Sequence, residues 1–323
     1  MKRFFQSEIG AAVLWVFCSI LLAAVISPWV YQGGRALAAH ASARELAAPL
    51  EWLAASCNRA ELGRYFDRCL MFSALVLLPV LFRRIRHLRA APGRLGEDLR
   101  RGYGWRSVTM QILVACVIAG GLLWGAGAIL EAAGAYSPRS KVAGTGRLIS
   151  KIVIPAMAAP LVEEWLFRGI LLGLWLRFAK PAAACIGTSL VFAFVHFLKP
   201  PDGMVIAAPG NPLAGFELLG EILRHFTNVV FFVTDFATLW VVGMILAWAR
   251  VRTGALWFSI GLHAGWVAAF KGFNLFYRSV DDHALRPWGV GDSLRSGLIP
   301  LLTLGLTAIV CHFALNRFSR ASR

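Results

Sequence analysis

The sequence predicts an all-α, polytopic membrane protein: about eight transmembrane helices in one bundle enclosing a polar cavity. Three observations predict it. Of 323 residues, 58% are hydrophobic and 15% charged, with a mean hydropathy of +0.64, whereas a soluble domain has roughly 45–50% apolar and about 25% charged residues. Several apolar runs reach the roughly 20 residues that cross a bilayer. Charges inside those runs are few and sit beside one another, as costly intramembrane charges must.

The elements follow in order. Span one, 9–31, follows Lys2 and Arg3. Its apolar run from Ile9 to Ile26 exceeds the core of about 7–15 residues in a signal peptide, so an uncleaved helix is expected. Span two, 66–82, is short: its tightest apolar core, Cys69 to Phe82, covers about 21 Å, with Arg68 and Arg83 placed to snorkel at its ends. Spans three to eight are expected at 108–130, 150–176, 182–198, 226–249, 254–270 and 297–315. The stretch 199–225, rich in Pro and Gly, is expected to be an irregular surface or re-entrant flap. The chain divides into residues 1–148, three helices with a basic cytoplasmic loop, and residues 149–323, which carry the chemistry. The sequence contains no evident internal repeat, which argues against transporter folds built on inverted repeats.

Net charge is +16, with an isoelectric point near 10.5. In a soluble protein this balance would suggest nucleic acid. Here the basic residues stand just outside apolar runs, the pattern of positive-inside topology and anionic headgroups, so no nucleic-acid partner is expected. The strongest cluster, Arg83, Arg84, Arg86, Arg89, Arg94, Arg100, Arg101 and Arg106, places the loop after span two in the cytoplasm. Arg177, Lys180, Arg250, Arg252, Arg317, Arg320 and Arg323 agree, so both termini are expected to be cytoplasmic. The arginine-rich composition fits a GC-rich bacterium, and its cytoplasmic (inner) membrane is the expected location. The cysteines, Cys18, Cys57, Cys69, Cys116, Cys185 and Cys311, show no metal spacing and read as small buried hydrophobes, with only Cys57 in a loop.

Span four carries the unusual stretch "APLVEEWLFRGILL". Residues four apart share a helix face, so Glu164 and Arg168 are expected to pair. Glu163 lies about 100° around the helix from Glu164 and points elsewhere, where it is available to act on a water. Span five ends in "LVFAFVHF", with Phe192 and His196 on one face; span seven places His263 between Gly261, Ala264 and Gly265, small residues that let helices approach. Each histidine alone reads as a satisfied core residue. Together, a carboxylate and two imidazoles on three spans suggest one water-filled cavity. There Glu163 is a general base, His196 holds the water or shares its proton, and His263 donates to the oxyanion.

These residues resemble the CPBP intramembrane proteases (CAAX prenyl protease and bacteriocin-processing, or ABI, family). "EEWLFR" matches the E-E-x-x-x-R motif, "FAFVH" matches F-x-x-x-H, and "RTGALWFSIGLHAGW" is similar to the last motif helix. The motifs cover residues 150–270. The resemblance implies a glutamic-type endopeptidase with Glu163, His196 and His263 catalytic and Glu164 and Arg168 supporting. It implies a membrane-anchored protein or peptide as substrate and no cofactor. The sequence departs from the family where His-x-x-x-Asn is usual: Val267 follows His263 and donates no hydrogen bond. Asn228 and Asp235 in span six, or the indole N–H of Trp266, are the candidate substitutes lining the cavity. His312 reads as structural. Two alternatives stand beside this reading. One is a non-catalytic binding or self-immunity protein of the same fold, motivated by Val267. The other is a zinc protease with Glu163, His196 and His263 as ligands, although no H-E-x-x-H is present.

Overall fold

The computed structural model describes residues 8–44, 46–87, 104–140, 144–177, 179–198, 204–286 and 288–321. Of the basic residues that set the expected orientation, Lys2, Arg3, Arg89, Arg94, Arg100, Arg101 and Arg323 lie outside these, as do the side chains of Arg86, Arg317 and Arg320.

The chain is an all-α polytopic membrane protein, with helices at all eight predicted positions. In chain order these are α1 (Glu8–Ala43), α2 (Ala48–Asn58), α3 (Leu62–His87), α4 (Trp105–Ala132), α5 (Thr145–Trp175), α6 (Pro181–His196), α7 (Ala214–His225), α8 (Val229–Thr253), α9 (Trp257–Phe276) and α10 (Leu298–Ala321). Six of them, α1, α3, α4, α5, α8 and α10, are long and apolar enough to cross a membrane. At 16 residues α6 is shorter. The 20 residues of α9 include Ser259, His263, Lys271 and Asn274.

Residues 1–92 and 196–228 form one compact unit. Its axis is α1, whose 36 residues run on past the expected end at 31, because the Ala- and Leu-rich continuation favours helix. The helix α3 packs along α1, and Trp15 Nε1 donates to the Ala74 carbonyl at 3.0 Å. Span two is therefore not short. Its helix starts at Leu62 and takes in Arg64, Asp67 and Arg68. Cys57 lies not in a loop but buried in α2, where Tyr65 Oη donates to its carbonyl at 3.1 Å. The second part of the expected flap, Ala214–His225, is helical as well. In α7, Ala214, Gly215, Leu218 and Ile222 are buried at helical spacing, and α7 packs on α1. Pro209, Gly210 and Pro212, just before it, hid that pattern in the sequence.

Residues 93–195 and 229–323 form the second unit. Its closest packing is between α4 and α9. A Cβ added to Gly261 would stand 2.4 Å from the Ile112 carbonyl oxygen, and one on Gly265 2.4 Å from that of Cys116. Around this seam lies an apolar core including Ala115, Ala119, Leu123, Leu246, Phe258, Leu262, Trp266 and Phe273. The turn from α8 into α9 uses Gly254 at φ 68°, a left-handed position natural to glycine. Thr253 Oγ1 braces that turn by accepting from Ala255 N at 3.3 Å. A short antiparallel ribbon, β1 (Tyr136–Pro138) with β2 (Tyr277–Ser279), joins the chain after α4 to the chain after α9, with Ser137 opposite Arg278.

Three stretches inside these helices are π-helical: Ile149–Val153 and Trp165–Leu171 in α5, and Phe232–Phe236 in α8. A wide turn displaces the ordinary backbone ladder and is often found at functional sites. In α8 it presents the Thr234 carbonyl to other donors, Thr238 Oγ1 at 2.6 Å and Gly297 N at 3.1 Å.

Candidate active site

Glu163 and Glu164 close the α-helical stretch Ile154–Glu164, immediately before the π turn Trp165–Leu171. The two neighbours occupy different environments. Glu164 is fully buried, whereas the Glu163 side chain keeps 29% of its surface exposed. Arg168 Nη1 donates to Glu164 Oε1 at 2.9 Å, the pair that the four-residue spacing predicts. His263 Nδ1 lies 2.9 Å from the same oxygen. A carboxylate held by arginine only accepts, so Nδ1 carries a proton and donates it to Glu164. In the neutral imidazole, Nε2 is then the basic nitrogen, and it stands 3.7 Å from Glu163 Oε2. Glu164 Oε2 is buried with no hydrogen-bond partner among the described residues.

Arg168 joins further helices to this centre. Its Nη2 donates to the Gly243 carbonyl of α8 at 3.2 Å. Its guanidinium lies over the Phe192 ring of α6, 4.2 Å from the centroid, and Phe192 meets Phe167 edge-on at 5.0 Å. A desolvated cation over an aromatic face gains about 2 kcal/mol or more. The Phe192 ring also stands edge-on to His263, 6.2 Å between centroids. Residues from α5, α6 and α9, with a backbone group of α8, thus form one polar cluster inside apolar helices. The Gly243 carbonyl and the π turn had no signal in the sequence.

The remaining candidates are placed as follows. His196 is the last residue of α6, one turn beyond Phe192, half-buried and grouped with the first unit. Asn228 is exposed, directly before α8, and also belongs to the first unit. Asp235 is half-buried in the π turn of α8 and accepts from Thr234 Oγ1 at 2.9 Å. Trp266 is buried in the apolar core, and its Nε1 has no hydrogen-bond partner among the described residues. Val267 is half-buried, one turn after His263. His312 stacks on Trp248, 6.3 Å between centroids, and its Nε2 lies 3.0 Å from Asn316 Nδ2. Among the described residues, no three His, Cys, Asp or Glu side chains come together as a metal-binding group.

Fold and cluster define an integral membrane protein whose helices share one buried, carboxylate-centred polar site. Residues 145–269 match the family model described as type II CAAX prenyl endopeptidase Rce1-like. The match falls on the segment that carries the three motifs and supports, in general terms, a CAAX-type intramembrane protease. Comparison with curated proteins and with solved structures gives no match.

Proposed function

We propose that the protein hydrolyses a peptide bond of a membrane-anchored protein or peptide, using a water activated by Glu163. One observation carries the proposal: two adjacent glutamates, one fully buried between Arg168 and His263 and the other partly open at 3.7 Å from His263 Nε2. That separation is too long for a direct hydrogen bond and lets both groups bond a single water. Glu163 takes a proton from the water as its oxygen attacks the scissile carbonyl carbon. When the tetrahedral intermediate collapses, the same proton passes to the leaving nitrogen and the C–N bond breaks. Glu164 holds the imidazole in one tautomer and orientation, and Arg168 offsets the charge of Glu164. His196 enters this reading from the sequence, as the second imidazole.

The proposal uses no cofactor. The zinc alternative needs Glu163, His196 and His263 as one ligand set, and analysis of purified protein tests it: one zinc per chain, with activity lost on chelation, would support it. Val267 favours a second reading, a binding or self-immunity protein without catalysis. The experiment that separates the two compares protein termini in native membranes of cells carrying wild type, a deletion or Glu163→Gln at matched levels. New termini present only with wild type establish proteolysis and name the substrate. Identical termini, with the biological effect retained by Glu163→Gln, establish the non-catalytic reading.

A further inference from the structure

Away from the glutamates, the second unit holds a cavity of ≈ 410 Å³ lined by Pro138, Arg139, Ser140, Arg147, Asn274, Leu275 and Arg278. Three of these residues are arginines, and none of the lining residues is acidic. The ribbon explains how they come together. Arg278 of β2 lies opposite Ser137 of β1. Side chains alternate along a strand, so Arg139, two residues beyond Ser137, falls on the same face. Arg278 Nε donates to Ser137 Oγ at 3.2 Å and Arg139 Nε to the Tyr277 carbonyl at 3.1 Å. Both forks are thereby held by Nε, and no ion pair engages Arg139, Arg147 or Arg278 among the described residues. Arg147, in the first turn of α5, completes the set. All three arginines are exposed, and an anion bound between them would relieve their mutual repulsion.

We propose that this cavity binds the phosphate of an anionic phospholipid headgroup. Its position selects that ligand. The lining residues lie just beyond the end of α4, at the start of α5 and around the end of α9. This is the level at which apolar helix gives way to headgroups. Arginine forks match phosphate oxygens, and Ser140 and Asn274 add neutral donors. The cavity volume lies in the range of small-ligand sites, about 300–1,000 Å³. The carboxylate of a short peptide bound at the glutamates is the competing anion. Glu163 lies sixteen residues beyond Arg147 on the same helix, about 24 Å along its axis. A tripeptide extends only about 10 Å.

The test uses the full-length protein purified in mild detergent, with retained lipid counted by native mass spectrometry. Phosphatidylglycerol, phosphatidylcholine and inorganic phosphate are offered separately and in competition. Wild type is expected to retain phosphatidylglycerol over phosphatidylcholine. The Arg139→Gln/Arg147→Gln/Arg278→Gln variant is expected to bind it about 100-fold more weakly, each basic contact contributing roughly a factor of five. The corresponding triple Lys variant should recover most of that loss, separating charge from misfolding. A control of equal charge, Arg44→Gln/Arg59→Gln/Arg64→Gln, should retain the lipid. Equal retention by wild type and the first variant would overturn the proposal. So would equal loss in the control, or displacement of the lipid by an equal concentration of inorganic phosphate, which would mark a site for soluble anions.

Discussion

Glu163 and Glu164 are chemically identical neighbours in different surroundings, and the proposed mechanism gives them different work. Glu164 is buried and accepts from Arg168 and His263, both at 2.9 Å. Removing one member of a buried ion pair leaves the other charge uncompensated and costs about 3–5 kcal/mol. Glu164→Gln is therefore expected to lower unfolding stability in detergent by that amount, read from a thermal or denaturant transition. Glu163, with 29% of its side chain exposed and His263 Nε2 at 3.7 Å, is expected to tolerate Gln with little change in stability. Loss of a general base should lower the turnover of that variant by about 10²–10⁴-fold. The Glu164–Arg168 pair was legible because four-residue spacing in a helix is a local rule. The Glu164–His263 contact was not, since it joins residues 99 apart through helix packing that no periodicity encodes. The sequence pointed His263 at an oxyanion; the geometry gives its Nδ1 to Glu164.

At the scale of elements, the packing of α9 against α4 fixes where His263 stands. Gly261 and Gly265 flank it, and each sits where a Cβ would press on a carbonyl oxygen of α4. Gly265→Val is expected to force the helices apart, costing at least about 1–3 kcal/mol as an overpacking change. It should also remove activity without touching a charged group. A variant as stable and active as wild type would contradict this account of the seam. Small residues beside His263 announced the close approach in the sequence. Helix ends were less legible: α1 continues to Ala43 and α3 begins at Leu62, because hydropathy marks the apolar core of a span and not the helix around it. The amphipathic α7 was missed because turn residues precede it, and the π turns because no composition marks them.

At the scale of the molecule, the membrane class was legible from composition alone, since apolar runs of span length have few other uses. Among the described residues six helices satisfy that length and hydropathy. Orientation rests on loop arginines, and we expect both termini in the cytoplasm. An alkaline phosphatase fused after Arg323 should be inactive, and one fused in the loop after α4 active; the reverse pattern would invert the topology. The second unit is organised around a polar cluster that four of its helices share through Arg168, Glu164 and His263. Such a cluster locks helices together, and the proposed division of labour between its glutamates adds work on a substrate.

The measurement that tests this claim most directly is cleavage by purified protein in proteoliposomes, on the substrate identified from the termini comparison. Wild type, Glu163→Gln and Glu164→Gln would be assayed beside their unfolding transitions. Glu163→Gln is expected to fold as stably as wild type and to have lost cleavage, while Glu164→Gln is destabilised. Cleavage retained by a stably folded Glu163→Gln variant would contradict that claim.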